Sequence, residues 1–197
     1  DEDPPGSTGA LEHSYSSMYF LKEQPIDEIR QWLRNVAAHE FFHIVTPLNI
    51  HSEEIQDFNF NEPKMSKHLW LYEGVTEYFA SNMQVKGNLI TKDQYLNVLK
   101  EKMVNTYSRY RNDLSFTEFS KTVLDNQSEF GNVYQKGALI GMCLDIKLRK
   151  LSNGKYGMQN LVADLAKKFG TPDWPSMRHT EQGKAMLMLG DKDFRPV

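Results

Sequence analysis

Disulfide bonding is the first thing this sequence rules out. It holds a single cysteine, Cys143, so no internal bridge can form and the fold rests on its own apolar core. The compartment stays open, because many secreted bacterial proteins carry no disulfides. No run of eighteen apolar residues occurs, which excludes a transmembrane helix. A basic block is also missing. The 23 Lys and Arg stand against 26 Asp and Glu, a net charge of -3, so nucleic acid is not an expected partner. Internal repeats, low-complexity tracts and a recognisable secretory leader are absent too. The chain opens on Asp1-Glu2-Asp3-Pro4-Pro5-Gly6-Ser7. That loop composition reads as the interior of a longer protein, so a fragment is expected.

What is present suits a globular domain. The 197 residues are 40% hydrophobic and 25% charged, enough to bury a core without staples. Residues 1–170 are expected to form this domain. Residues 171–197, punctuated by Pro, Gly and charge after Thr171-Pro172, are expected as a tail without assigned structure. Gly9 to Leu21 shows no helical stripe and is expected as one strand. From Ile26, the residues Ile29, Trp32, Leu33, Val36 and Ala37 recur at spacings of three and four, and the helix should run on to Pro47. Residues 48–64 read as a polar loop. A second helix should open at Ser66 or Lys67 and reach Val85, with Leu69, Leu71, Val75, Tyr78 and Phe79 in the core.

Thr91-x-x-Gln94 and Ser115-x-x-Glu118 read as capping boxes, opening a helix to Arg111 and a short one after it. Asp125 to Asn132 is expected as a loop. Tyr134 to Lys150 is expected as a helix, apolar along Ala138, Leu139, Met142, Leu144, Ile146 and Leu148, and a last helix should run from Gly157 to Phe169. Cys143 sits among those apolar residues and is expected to be a buried, inert thiol. The nine methionines read as core filler. His13 is expected to be structural, and His51 and His68 receive no role.

The chemistry concentrates in His39-Glu40-Phe41-Phe42-His43, an H-E-x-x-H pattern. On a helix, residues i and i+4 share a face, so two neutral imidazoles can grip one zinc ion while Glu40 takes a proton from water. Catalytic zinc usually takes a third protein ligand. Trp70-Leu71-Tyr72-Glu73-Gly74-Val75-Thr76-Glu77-Tyr78-Phe79 offers Glu73 and Glu77, again at i and i+4. From spacing alone either carboxylate can be the ligand. The other can accept the second N–H of a ligating histidine.

These segments resemble the glycyl aminopeptidase family of zinc metallopeptidases, a gluzincin group related to alanyl aminopeptidase and leukotriene hydrolase. Those families join H-E-x-x-H to E-G-x-x-x-Y on a second helix, which implies Glu73 as the third metal ligand; Glu77 remains a partner for a ligating histidine by spacing. Gly9-Ala10-Leu11-Glu12-His13 is similar to the family's G-G-L-E-H strand. In the related group the corresponding G-A-M-E-N glutamate binds the substrate's free amino group, which implies that role for Glu12. Tyr134-Gln135-Lys136-Gly137-Ala138-Leu139 resembles Y-x-K-G-A-L, whose tyrosine hydroxyl stabilises the tetrahedral intermediate, so Tyr134 is the implied oxyanion donor. The matching segments span residues 9–150 in the family's order.

Departures occur as well. Ile44-Val45-Thr46-Pro47-Leu48-Asn49-Ile50-His51 lacks the Trp-Asn and Ile-Arg-Pro that usually follow the motif. The family's β-rich N-terminal domain and its PDZ domain are not evident in this sequence.

The resemblance implies an α+β fold, mainly α: a thermolysin-like, gluzincin catalytic domain with a reduced sheet. It implies a zinc cofactor and peptide or protein substrates, cleaved in aminopeptidase-like fashion, with His39, His43 and Glu73 on the metal and Glu40 as the base. A periplasmic or extracellular location is the expectation it carries. The competing expectation is a catalytically inactive relative that keeps the fold for protein binding.

Overall fold

The computed structural model describes residues 8–13, 16–59 and 61–169. The expected opening loop and the expected tail at 171–197 lie outside the described residues. The architecture is mostly helical, with one small sheet.

The stretch expected as one strand is a hairpin. β1 (Gly9–Glu12) pairs antiparallel with β2 (Ser17–Phe20), in the register Gly9 to Phe20 and Glu12 to Ser17. The His13 N–H donates to the Ser16 carbonyl at 2.7 Å and closes the connection. The sequence there lacks the Asn-Gly or Asp-Gly pair that announces a hairpin, so the reversal was hidden in a Ser- and Tyr-containing run.

α1 (Ile26–Phe42) starts after Pro25, with Asp27 and Glu28 in its first turn, where carboxylates suit the helix dipole. Its stripe of Ile29, Trp32, Leu33, Val36 and Ala37 is half-buried throughout. The helix ends short of the expected limit near Pro47. His43 is its C-cap, still with helical φ −63° and ψ −16°. From there the hydrogen bonds reach only three residues back, Ile44 to Phe41 and Val45 to Phe42. This is the tightening common at helix ends, and Pro47 has no N–H with which to continue.

The segment expected as loop holds one short 3-10 turn, Glu53–Ile55. The second helix begins later than expected and differently: a π-helical turn, Trp70–Val75, runs into α2 (Thr76–Lys86). Leu69, Leu71, Val75 and Tyr78 are buried as expected, and Phe79 is half-buried.

α3 (Lys92–Arg109) carries the full Thr91–Gln94 capping box and stops just before Arg111. α4 (Phe116–Lys121) is capped by Ser115, whose hydroxyl accepts the Glu118 N–H. Part of the expected loop after it forms a kinked 3-10 segment, Val123–Glu129. α5 (Gly131–Leu151) begins three residues earlier than Tyr134, and α6 (Met158–Phe169) closes the described chain.

The core gathers where α5 and α6 pack on the π turn. Trp70, Leu71, Tyr72 and Val75 join Met158, Val162 and Ile50 in one cluster; Leu69, Phe119, Val123 and Val133 form another. Two glycines set how closely α5 approaches the turn. A Cβ placed on Gly137 would stand 2.8 Å from the Gly74 Cα and 3.3 Å from the Trp70 carbonyl oxygen. A Cβ on Gly74 would collide with the Gly137 backbone. Only bare backbone fits at this crossing. At the far end of α5, Asp145 accepts from the Tyr78 hydroxyl at 2.9 Å, from Arg149 Nε at 2.8 Å and from the Met158 N–H at 2.6 Å. Those bonds tie α2, α5 and the start of α6 together. Cys143 departs from expectation: it is exposed, because it lies on the solvent side of α5 despite its apolar neighbours in sequence.

Candidate metal centre

α1 and the π turn bring their polar groups together beside β1 and α5. His39 and His43, one turn apart, are both buried, with ring centroids 4.7 Å apart. His39 Nε2 lies 3.0 Å from Glu73 Oε2, and His43 Nε2 lies 3.6 Å from the same oxygen. The ligand atoms of His39, His43 and Glu73 all fall within 4.8 Å of one another. A tetrahedral ion with bonds of about 2.0–2.2 Å sets its ligand atoms about 3.3–3.6 Å apart. The observed N–O separations bracket that range, so these three residues can hold a metal ion.

The opposite ring nitrogens are already engaged. His39 Nδ1 donates to Glu77 Oε2 at 2.9 Å, and His43 Nδ1 donates to the Thr46 carbonyl at 2.8 Å. With both Nδ1 atoms engaged outward, each Nε2 faces Glu73 and is the nitrogen left for a metal ion, the arrangement typical of metal-binding histidines. The Thr46 carbonyl is free for this because α1 ends before it.

Charge in the site is predominantly negative. Burial lowers the pKa of His39, but its bonds to Glu73 and then Glu77 outweigh burial and push it up to about 10. Burial raises the Glu73 carboxyl, yet the hydrogen bond from His39 and the nearby His43 bring it below the ordinary range. Glu77 follows the same balance: against burial, the bond from His39 and the charge of Lys102 hold it at about 2. Its second oxygen, Oε1, receives the Lys102 ammonium at 2.8 Å.

Glu40, next to His39 on α1, brings its carboxylate within 4.8 Å of a His43 ring nitrogen. It is buried, and its Oε2 has no hydrogen-bond partner among the described residues. Burial raises its pKa, with His43 and then His39 opposing. Glu12, at the end of β1, comes within 4.8 Å of both Glu40 and His43 through its carboxylate. Tyr134 is half-buried on α5, with its ring centroid 5.6 Å from that of His39. Burial, then the charges of Glu73 and Glu40, raise its pKa, so the phenol stays protonated and can donate.

All seven residues singled out in the sequence, Glu12, His39, Glu40, His43, Glu73, Glu77 and Tyr134, thus gather at one place. Sequence reasoning missed Lys102 and the Thr46 carbonyl. Lys102 left a trace: it occupies the same face of α3 as Tyr95, Leu99 and Thr106, all buried or half-buried. The Thr46 carbonyl left none, since backbone acceptors carry no side-chain signature.

No curated protein matches the chain. Among solved structures, it is similar to the crystal structure of an aminopeptidase N family protein from Idiomarina loihiensis. The TM-score is 0.70 at 24% identity, over 84% of this chain and 31% of that one. At that identity the likeness speaks for the fold, and this chain spans about a third of its relative. The family pattern described as M61 glycyl aminopeptidase matches residues 32–140. That stretch is more than half of the sequence and contains both histidines, Glu40, Glu73, Glu77 and Tyr134. The chain belongs to the M61 glycyl aminopeptidase family.

Proposed function

We propose that this chain is the catalytic segment of a zinc-dependent peptidase of the gluzincin, thermolysin-like type, acting in aminopeptidase fashion. The observation that carries the reading is the convergence of His39 Nε2, His43 Nε2 and Glu73 Oε2 while each imidazole Nδ1 is held by an acceptor on its other side. Two histidines and a carboxylate are the donor set of catalytic zinc sites that keep one position open. Zinc held there supplies Lewis-acid polarisation of a carbonyl and a more acidic water.

The chain's own groups do the rest. Glu40, with an unpartnered buried oxygen, accepts the proton of the attacking water and delivers it to the leaving amine. Tyr134, kept neutral by burial and its carboxylate neighbours, donates its hydroxyl hydrogen to the developing oxyanion. Glu12, beside Glu40 and His43, offers a carboxylate to the free amino group of a peptide, which would set the cleavage at the N-terminal residue.

The test uses the 197-residue chain, an aminoacyl-anilide panel and elemental analysis. About one zinc per chain is expected, lost in His43→Ala, with hydrolysis stopped by a chelator and restored by added zinc. Glu40→Gln should keep the zinc and lose about 10²–10⁴ in rate. A Glu40→Gln variant as active as the wild type refutes the mechanism. Zinc without Glu40-dependent hydrolysis would make the chain a binding protein.

A further inference from the structure

We propose that Lys102 is a positioning residue of the metal centre, clamping Glu77 against His39; the inference rests on the metal-site reading above. Lys102 is buried on α3, with 6% of its surface exposed. An ammonium in such a place is costly unless paired, and the pairing here is directed. Lys102 Nζ holds Glu77 Oε1 at 2.8 Å, Glu77 Oε2 holds His39 Nδ1 at 2.9 Å, and His39 Nε2 faces Glu73 at 3.0 Å. Each oxygen of Glu77 is used once. Its carboxylate therefore cannot rotate away from the imidazole without breaking the lysine bond.

The inward face of α3 carries half-buried Tyr95 and Leu99, yet its most buried side chains are polar. α3 turns Lys102 and Thr106 inward while Leu96, Val104 and Tyr107 stay more than half exposed. The lysine thus links a third helix to a metal ligand supplied by the first, through a carboxylate supplied by the second. The consequence is ring orientation: with Glu77 fixed, His39 presents Nε2 and keeps its hydrogen on Nδ1.

The experiment is a double-mutant cycle read as zinc affinity, by competition with a chromophoric chelator, on the wild type, Lys102→Met, Glu77→Gln and the double variant. Circular dichroism checks that each is folded. Lys102→Met is expected to weaken zinc binding about tenfold or more. In the Glu77→Gln background the same change should alter affinity by less than about twofold, since coupled partners are non-additive. A folded Lys102→Met chain with wild-type zinc affinity overturns the proposal, even if its melting temperature falls, because that pattern marks a lysine that merely packs. An equal loss with and without Glu77 also overturns it. If Lys102→Met does not fold, Lys102→Gln takes its place in the cycle: it removes the charge and leaves an amide, and an unchanged zinc affinity refutes the clamp. A wild-type chain that takes up no zinc would instead refute the metal centre itself, so the two failures are distinct.

Discussion

Gly137→Ala sets two known effects against each other, and the structure decides the sign. Alanine in place of a helical glycine normally stabilises by about 0.5–1 kcal/mol. Gly137, however, lies in α5 where a Cβ would sit 2.8 Å from the Gly74 Cα. Carbon atoms pack best about 3.5–4.0 Å apart, so α5 and the π turn would have to separate by about 0.7–1.2 Å. The atoms it would meet, Gly74 Cα and N and the Trp70 carbonyl oxygen, are all backbone, and no rotamer change relieves the clash. The upper part of the overpacking range, about 3 kcal/mol, therefore applies. Net of the propensity gain, the loss is about 2 kcal/mol, or about 4–8 °C in melting temperature for a chain of this size.

The same separation moves Tyr134 on α5 relative to Glu73 on the π turn, and in the catalytic constellation proposed above a shift near 1 Å should cost about 10²-fold in rate. Gly141→Ala is the control. Its new methyl would meet the Val75 Cγ2 at 3.2 Å, a side-chain atom that can yield by a few tenths of an ångström. That variant should stay within about 1 kcal/mol of the wild type. Urea denaturation and kcat/KM on an aminoacyl anilide read both variants. If Gly137→Ala matches the wild type, or Gly141→Ala loses as much, the glycine crossing does not set the spacing.

Two further predictions concern the frame. Burial raises the Asp145 carboxyl, but its bonds from Arg149, the Met158 N–H and Tyr78 outweigh burial and hold it below the ordinary range. A depressed folded pKa adds stability above the unfolded value, about 3.9, and that stability drains away as pH falls through the folded one. The melting-temperature gap between wild type and Asp145→Asn should therefore be constant from neutral pH to about pH 5 and shrink below about pH 4; a gap that persists undiminished in acid contradicts the assignment. Met158 is 0% exposed in the cluster under α6, so Met158→Ala should cost about 2–5 kcal/mol. The urea midpoint should fall while the slope stays the same.

How much of this was legible without coordinates follows from which interactions are local. Helices announced by spacing and by capping residues, such as α1, α3 and α4, are present because their signals lie within a few residues of one another. The hairpin was missed because the sequence between its two strands lacks a strong turn dipeptide. The π turn at Trp70–Val75 was missed because apolar spacing does not separate a π-helical turn from an α-helical one. The end of α1 was overshot because Pro47 sets only the latest point at which a helix can stop. Burial of Cys143 was misjudged for a related reason: apolar neighbours in sequence lie on other faces of the same helix. Lys102 escaped because its partner lies on another helix, 25 residues away in sequence.

The choice between Glu73 and Glu77 shows what the third dimension adds to a motif. On spacing alone the two carboxylates are equivalent, one turn apart and both able to reach a histidine. In the fold they flank a single ring from opposite edges: Glu73 faces His39 Nε2, and Glu77 faces His39 Nδ1. An imidazole binds a metal through one nitrogen and donates a hydrogen from the other, so the two glutamates cannot exchange jobs without turning the ring over. His43 Nε2 lies on the Glu73 side, and Lys102 neutralises Glu77. Both facts favour the division proposed above, with the carboxylate nearest two imidazole Nε2 atoms assigned to the metal and the one paired to an ammonium behind the ring. Neutralising one of the pair, Glu73→Gln, should therefore abolish zinc binding, whereas Glu77→Gln should weaken it by about 10–100-fold; equal losses in the two variants would mean that the ring does not separate their roles.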